Sequence, residues 1–102
     1  MKRFLSLLLF CLAAPVAAQT GLPPAPYADR QLDDPRQEAA ARDLMEELRC
    51  LKCQSQSIAD SNAPMAGDMR SQVRERIAAG ESPEEVRSWL IERYGNWVSY
   101  NP

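Results

Sequence analysis

The chain has no histidine and only three cysteines in 102 residues. A structural zinc site needs four ligands, and a catalytic one needs three plus water. Cys11 falls in an N-terminal leader, so two cysteines remain and a monomer cannot complete the usual shell. No metal ligands are assigned. Covalent haem attachment wants Cys-x-x-Cys-His, and Gln54 stands where that histidine would be. No 18-residue apolar run follows the leader, so nothing in residues 19–102 reads as a membrane span. Basic residues alternate with acidic ones and do not cluster, so no nucleic acid is expected as a partner. No βαβ pattern of strands occurs, which excludes the thioredoxin fold.

The first 18 residues read as a signal peptide, with an uncleaved anchor as the alternative. Lys2 and Arg3 precede an apolar stretch, Phe4 to Ala14, too short for an ordinary span, and Val16-Ala17-Ala18 supplies small residues for cleavage after Ala18. Phe10 is too bulky for a lipoprotein cleavage site before Cys11. Removing Lys2 and Arg3 from the 12 basic residues leaves 10 against 14 acidic ones, a net charge of −4. What remains is enough for one small domain with a thin core.

Residues 19–33 are polar and proline-rich and are expected as a flexible leader. Residues 34–102 are expected as the folded domain. Asp34-Pro35 reads as a helix N-cap and first position, with Gln37 placed to close a capping box. Ala41, Leu44, Met45 and Leu48 form one apolar stripe, so this helix should reach Arg49 or just beyond. Gln54 to Ser61 reads as a loop. Ser61 or Asn62 is expected to cap a second helix near Pro64. Ala66, Met69, Val73 and Ile77 should be its buried stripe, and Arg70, Arg74, Glu75 and Arg76 its wet face. Gly80 should end it in a left-handed conformation. Ser82-Pro83-Glu84-Glu85 is a third helix start with a capping box, and Gly95 its stop. Trp97, Val98 and Tyr100 alternate with polar residues as a short extended tail packed across the helices. The fold class expected is all-α, a small three-helix bundle with the Cys-x-x-Cys in the loop after the first helix.

Cys50 and Cys53 are the candidate catalytic residues. A pair three residues apart closes too short a loop to stabilise a fold much, which weakens a purely structural disulfide. Thiol–disulfide exchange is the leading chemistry. It needs an attacking thiolate, a mixed disulfide and a resolving thiol, with both sulfurs within reach of a foreign dithiol. Downstream of an export signal such a disulfide can form and persist. Cys50 follows the negative end of a helix, which disfavours its thiolate, whereas Arg49 and Lys52 favour it; each effect is about 1 kcal/mol or less at an exposed site. The cysteines are therefore expected not to be strongly acidified, which suits reduction of a partner. Which of the two attacks is left open. Trp89, Tyr94 and Trp97 are expected in the core more than on a docking surface.

Leu48-Arg49-Cys50-Leu51-Lys52-Cys53-Gln54, then Ser57-Ile58-Ala59-Asp60-Ser61-Asn62-Ala63, and finally Arg93-Tyr94-Gly95-Asn96-Trp97-Val98 with Tyr100-Asn101-Pro102, closely resemble the cytochrome c maturation H subunit family (CcmH). The related nitrite-reductase assembly proteins of the NrfF type share the cysteine motif and an Asn-Ala-Pro run like Asn62-Ala63-Pro64. The resemblance implies a periplasmic three-helix redox domain of cytochrome c biogenesis. Such a domain reduces or holds the Cys-x-x-Cys-His thiols of an apocytochrome c before haem ligation. It belongs to the haem lyase assembly with its membrane subunits and cooperates with a thioredoxin-like reductant. Arg49, Asp60, Ser61 and Asn62 fit the motif and are assigned to partner binding. Asp60, Ser61 and Asn62 also have a plainer explanation as helix-capping residues, and Arg49 and Lys52 as ordinary solvated cations. No intrinsic cofactor is assigned, and haem or metal binding is implied by the resemblance alone. Family members continue past the Tyr-Asn-Pro region into an inner-membrane helix, so anchoring is expected for the family although residues 19–102 carry no span. The rival readings are a non-catalytic scaffold, a haem- or metal-binding subunit of the haem lyase, a nitrite-reductase assembly subunit, and a dimer sharing one metal through both cysteine pairs.

Overall fold

The computed structural model describes residues 25–51 and 56–101. The segment read as a signal peptide, Cys11, Lys52 and Cys53 lie outside those residues. Within them the chain forms α1 (Pro35–Glu46), α2 (Pro64–Ala78) and α3 (Pro83–Tyr94), followed by a 3₁₀ turn at Asn96–Val98. No strand is present among the described residues. The three-helix, all-α expectation is met.

Each helix starts with proline at its first position, where the missing amide costs nothing. Asp34 caps α1 by accepting from the Arg36 amide at 2.8 Å. Gln37 does not close the expected box. Its amide nitrogen donates across to the Ile77 carbonyl at 3.1 Å and ties α1 to α2. Ala63 is the N-cap of α2, with no side-chain cap bond, so neither Ser61 nor Asn62 caps it. Ser61 Oγ accepts from the Ala63 amide at 3.2 Å, two residues ahead of the cap position. At α3 the box is complete, with Ser82 and Glu85 satisfying each other's amides. Gly80 (φ +99°) closes α2 as expected, its amide reaching Ile77 and that of Glu81 reaching Arg76.

α1 ends at Glu46 and does not reach Arg49 as its apolar period suggests. The backbone of residues 47–50 is used sideways. Leu48 bridges Ser99 and Arg49 bridges Ser57, both antiparallel. The Arg49 amide donates to Val98 (2.6 Å), Tyr100 to Glu47 (2.9 Å), Ile58 to Leu48 (2.9 Å) and Cys50 to Gln56 (2.9 Å). The segment carrying Cys50 is thus held between residues 98–100 on one side and 56–58 on the other. Only the end of the tail is extended, because Trp97 and Val98 sit in the 3₁₀ turn after Gly95 (φ +90°).

The core gathers Ala41, Leu44, Met45 and Leu48 with Ala66, Met69, Val73 and Ile77, and with Val86, Leu90 and Val98. Both predicted stripes are buried, Leu48 included though it lies past its helix. Cys50 and Ile58 belong to the same cluster.

The predicted wet face of α2 is half wrong. Arg74 is buried and paired with Glu38 of α1 at 2.7 Å. Its Nη1 also donates to the Tyr27 carbonyl at 2.8 Å. Arg70 is largely covered, with a side chain 12 % exposed. The two arginines gather residues 27–29 onto α2. Ala28 and Leu32 are buried there, and the Tyr27 amide donates to Ser71 Oγ at 3.1 Å. A Cβ on Gly67 would stand 3.2 Å from the Ala28 Cβ, so any side chain there would have to push Ala28 back by a few tenths of an ångström. Order therefore takes in residues ahead of Asp34. Among the described residues no helix is long and apolar enough to cross a membrane.

Candidate functional site

Cys50 lies just past α1, and its place follows from the local pairing. The bonds of Leu48, Arg49 and Cys50 to their two flanking segments pull the chain out of helical geometry and turn the Cys50 side chain inward. It is disulfide-bonded and only 1 % exposed. Of the two sulfurs expected to face a foreign dithiol, this one does not. The hydrophobic cluster that includes Leu48, Ile58 and Val98 claims it.

Arg49 alternates to the other side of the segment. Its guanidinium carbon stands 4.0 Å from the Trp97 ring centre and 4.4 Å from that of Tyr100. Both rings are exposed, Trp97 at 59 % and Tyr100 at 44 %. Among the described residues this cation over two aromatic faces has no carboxylate partner, and its Nε is buried with no hydrogen-bond partner there. The stack is positioned by the same bridges that position Cys50, since Leu48 pairs with Ser99 between the two rings. Trp97 is therefore not a core residue as expected. The 3₁₀ turn buries Val98 and leaves Trp97 outside. Trp89 and Tyr94 are half-buried against the core, Trp89 beneath the Arg76 guanidinium at 3.4 Å.

Asp60, Ser61 and Asn62 form a second region. They line an open cleft of about 480 Å³ together with Asp29, Gln31, Arg42, Met45 and Glu46. Asp60 and Asn62 are exposed, while Ser61 is buried. Asp60 accepts from Ser57 Oγ at 3.1 Å. Arg49 is not among the lining residues, so the four assigned partner residues divide between an aromatic stack and a polar cleft. Arg70 and Arg74 form part of the cleft wall. Sequence reasoning missed these two as inner residues. The available signal was their spacing: each directly follows a residue of the buried stripe, Met69 and Val73, at an interval of four. Among the described residues no group of histidine, cysteine, aspartate or glutamate is arranged to hold a metal ion.

Comparison with known proteins gives concordant results. The family model CcmH, described as "Cytochrome C biogenesis protein", matches residues 7–102. The chain is 50 % identical over 94 residues to the cytochrome c-type biogenesis protein CcmH of Bradyrhizobium diazoefficiens, covering 89 % of this chain and 59 % of that protein. Against the formate-dependent nitrite reductase complex subunit NrfF of Escherichia coli O157:H7 identity is 44 % over 72 residues, 71 % of this chain and 57 % of that protein. The solution structure of the N-terminal domain of Escherichia coli CcmH superposes with a TM-score of 0.56 at 49 % identity, covering 71 % of this chain and 89 % of that one. The chain thus spans somewhat over half the length of the first two of these relatives.

Proposed function

The chain belongs to the CcmH family of cytochrome c biogenesis proteins, and from that premise we propose that it is a periplasmic thiol–disulfide exchange domain. Its client is the Cys-x-x-Cys-His segment of an apocytochrome c, reduced or held ready for haem ligation within the haem lyase complex. The observation that carries this is the disulfide at Cys50, set beside an exposed stack of Trp97, Arg49 and Tyr100. The disulfide supplies the redox couple, and the stack supplies a place for a peptide next to it.

The burial of Cys50 supports a division of labour in which Cys53 attacks and Cys50 resolves. In the reduced domain the Cys53 thiolate attacks one sulfur of the client disulfide. The client's other sulfur leaves as a thiolate and takes up a proton. Cys50 then attacks Cys53 in the mixed disulfide, forming the Cys50–Cys53 bond and releasing the second client thiol. Two electrons pass to the client, and a thioredoxin-like dithiol restores the domain. A buried resolver suits this order, since it meets only a sulfur already brought to it.

The test mixes the domain with an oxidised Cys-x-x-Cys-His peptide. Cys50→Ala should accumulate a peptide adduct on Cys53, and Cys53→Ala should not. Capture by neither variant refutes exchange. The burial of Cys50 in the core also favours a second reading, a scaffold whose disulfide is structural. A double alanine variant that still supports full cytochrome c assembly would establish it. The likeness to NrfF leaves a nitrite-reductase client open, and adduct yields with peptides from either client class separate the two.

A further inference from the structure

We infer that Arg70 is a positioning residue for the Cys50 disulfide, acting through the far limb of the cysteine loop. Its guanidinium is shared between two segments distant in sequence. Nη1 donates to the carbonyls of Ile58 (2.8 Å) and Ser61 (2.7 Å). Nε donates to Ala28 (2.6 Å), and Nη2 meets Asp29 at 3.1 Å. The limb it grips is the one paired with the cysteine segment, through Ile58 to Leu48 and Cys50 to Gln56. Residues 56–61 contribute only Ile58 and Ala59 as apolar anchors, so packing alone fixes them weakly. A charged donor makes the stronger bonds, and the planar fork reaches several carbonyls at once, which an ammonium does not.

The consequence is thermodynamic. Reduction converts the protein disulfide and two glutathione thiols into two protein thiols and one glutathione disulfide. With residues 56–61 already fixed against the Cys50 segment, less freedom is lost when the sulfur–sulfur bond forms. Fixing of residues 56–61 by Arg70 therefore favours the disulfide, and the disulfide favours the fixed limb by the same factor. The inference rests on the exchange reading above, because it needs a disulfide that equilibrates.

The test measures the equilibrium of the domain in glutathione buffers, with amide hydrogen exchange alongside. Arg70→Met should shift it about tenfold toward the dithiol, about 30 mV for a two-electron couple. Arg70→Lys should recover part of this, leaving a shift of about threefold. Arg76→Ala, which loses contacts to Glu81 and Trp89, should leave it unchanged. Faster exchange of the Cys50 and Ile58 amides should accompany the shift in both Arg70 variants. If Arg70→Met does not fold, Arg70→Lys decides by the same readouts. A parent that equilibrates together with variants that match it, or that shift toward the disulfide, overturns the role of Arg70 alone. A parent that never exchanges with glutathione overturns the exchange reading and this inference with it.

Discussion

Replacing Cys50 tests whether its sulfur is packed as an apolar atom. Measured against the reduced parent, so that the covalent bond does not enter, Cys50→Ala removes roughly one methyl's worth of packing. That costs about 1 kcal/mol. Cys50→Ser loses the same volume and also buries a hydroxyl among apolar neighbours, adding about 1–3 kcal/mol. Serine should therefore stand about 2–4 kcal/mol below the reduced parent. A domain of this size has in all only about 4–10 kcal/mol of stability, and each kcal/mol moves its melting point by about 4–8 °C. The serine variant should be visibly fragile and the alanine variant close to the parent. Urea titration of all three in reducing buffer, followed by far-ultraviolet circular dichroism, gives the ordering. Equal stability of the alanine and serine variants would show that the site is wet, and would remove the argument that Cys50 resolves and does not attack. The ordering also bears on trapping, because a serine variant that fails to capture a peptide could simply be unfolding.

Three further outcomes are expected. Glu38→Ala strands the Arg74 cation beside α1 and should cost about 3–5 kcal/mol, while Glu38→Ala with Arg74→Met should regain most of it; a single variant within 1 kcal/mol of the parent by urea titration contradicts the burial of the pair. Ser82→Ala breaks the capping box of α3 and should lower stability by about 1 kcal/mol in thermal melts, with no change in peptide capture. Trp97→Ala removes an exposed ring and should change stability by less than about 1 kcal/mol. It should nevertheless weaken binding of the oxidised peptide severalfold by fluorescence anisotropy. Undiminished binding would detach the stack from client recognition.

Much of the fold can be read from residue order because its signals are local. The prolines at 35, 64 and 83 mark all three helix starts, the apolar stripes of α1 and α2 reappear as the core, and Ser82 with Glu85 forms its box. Such features depend on residues within a turn of one another. The errors share a different cause. α1 stops early because Ser99 and Ser57, far along the chain, compete for the backbone of Leu48 and Arg49. Gln37 turns away from its cap because Ile77 offers a carbonyl. Arg74 is drawn inward because Glu38 waits on another helix.

The site divides along the same line. Residue order alone placed a cysteine pair after a helix and, through the motif around it, the family. Composition alone removed histidine chemistry from consideration. Tertiary structure decided that Cys50 faces the core, that Arg49 lies between two exposed rings, and that Arg70 joins the pre-helix segment to the cysteine loop. A spacing states which side chains share a face of one element. Which face is dry depends on what packs against it, and that is known only when the segments meet.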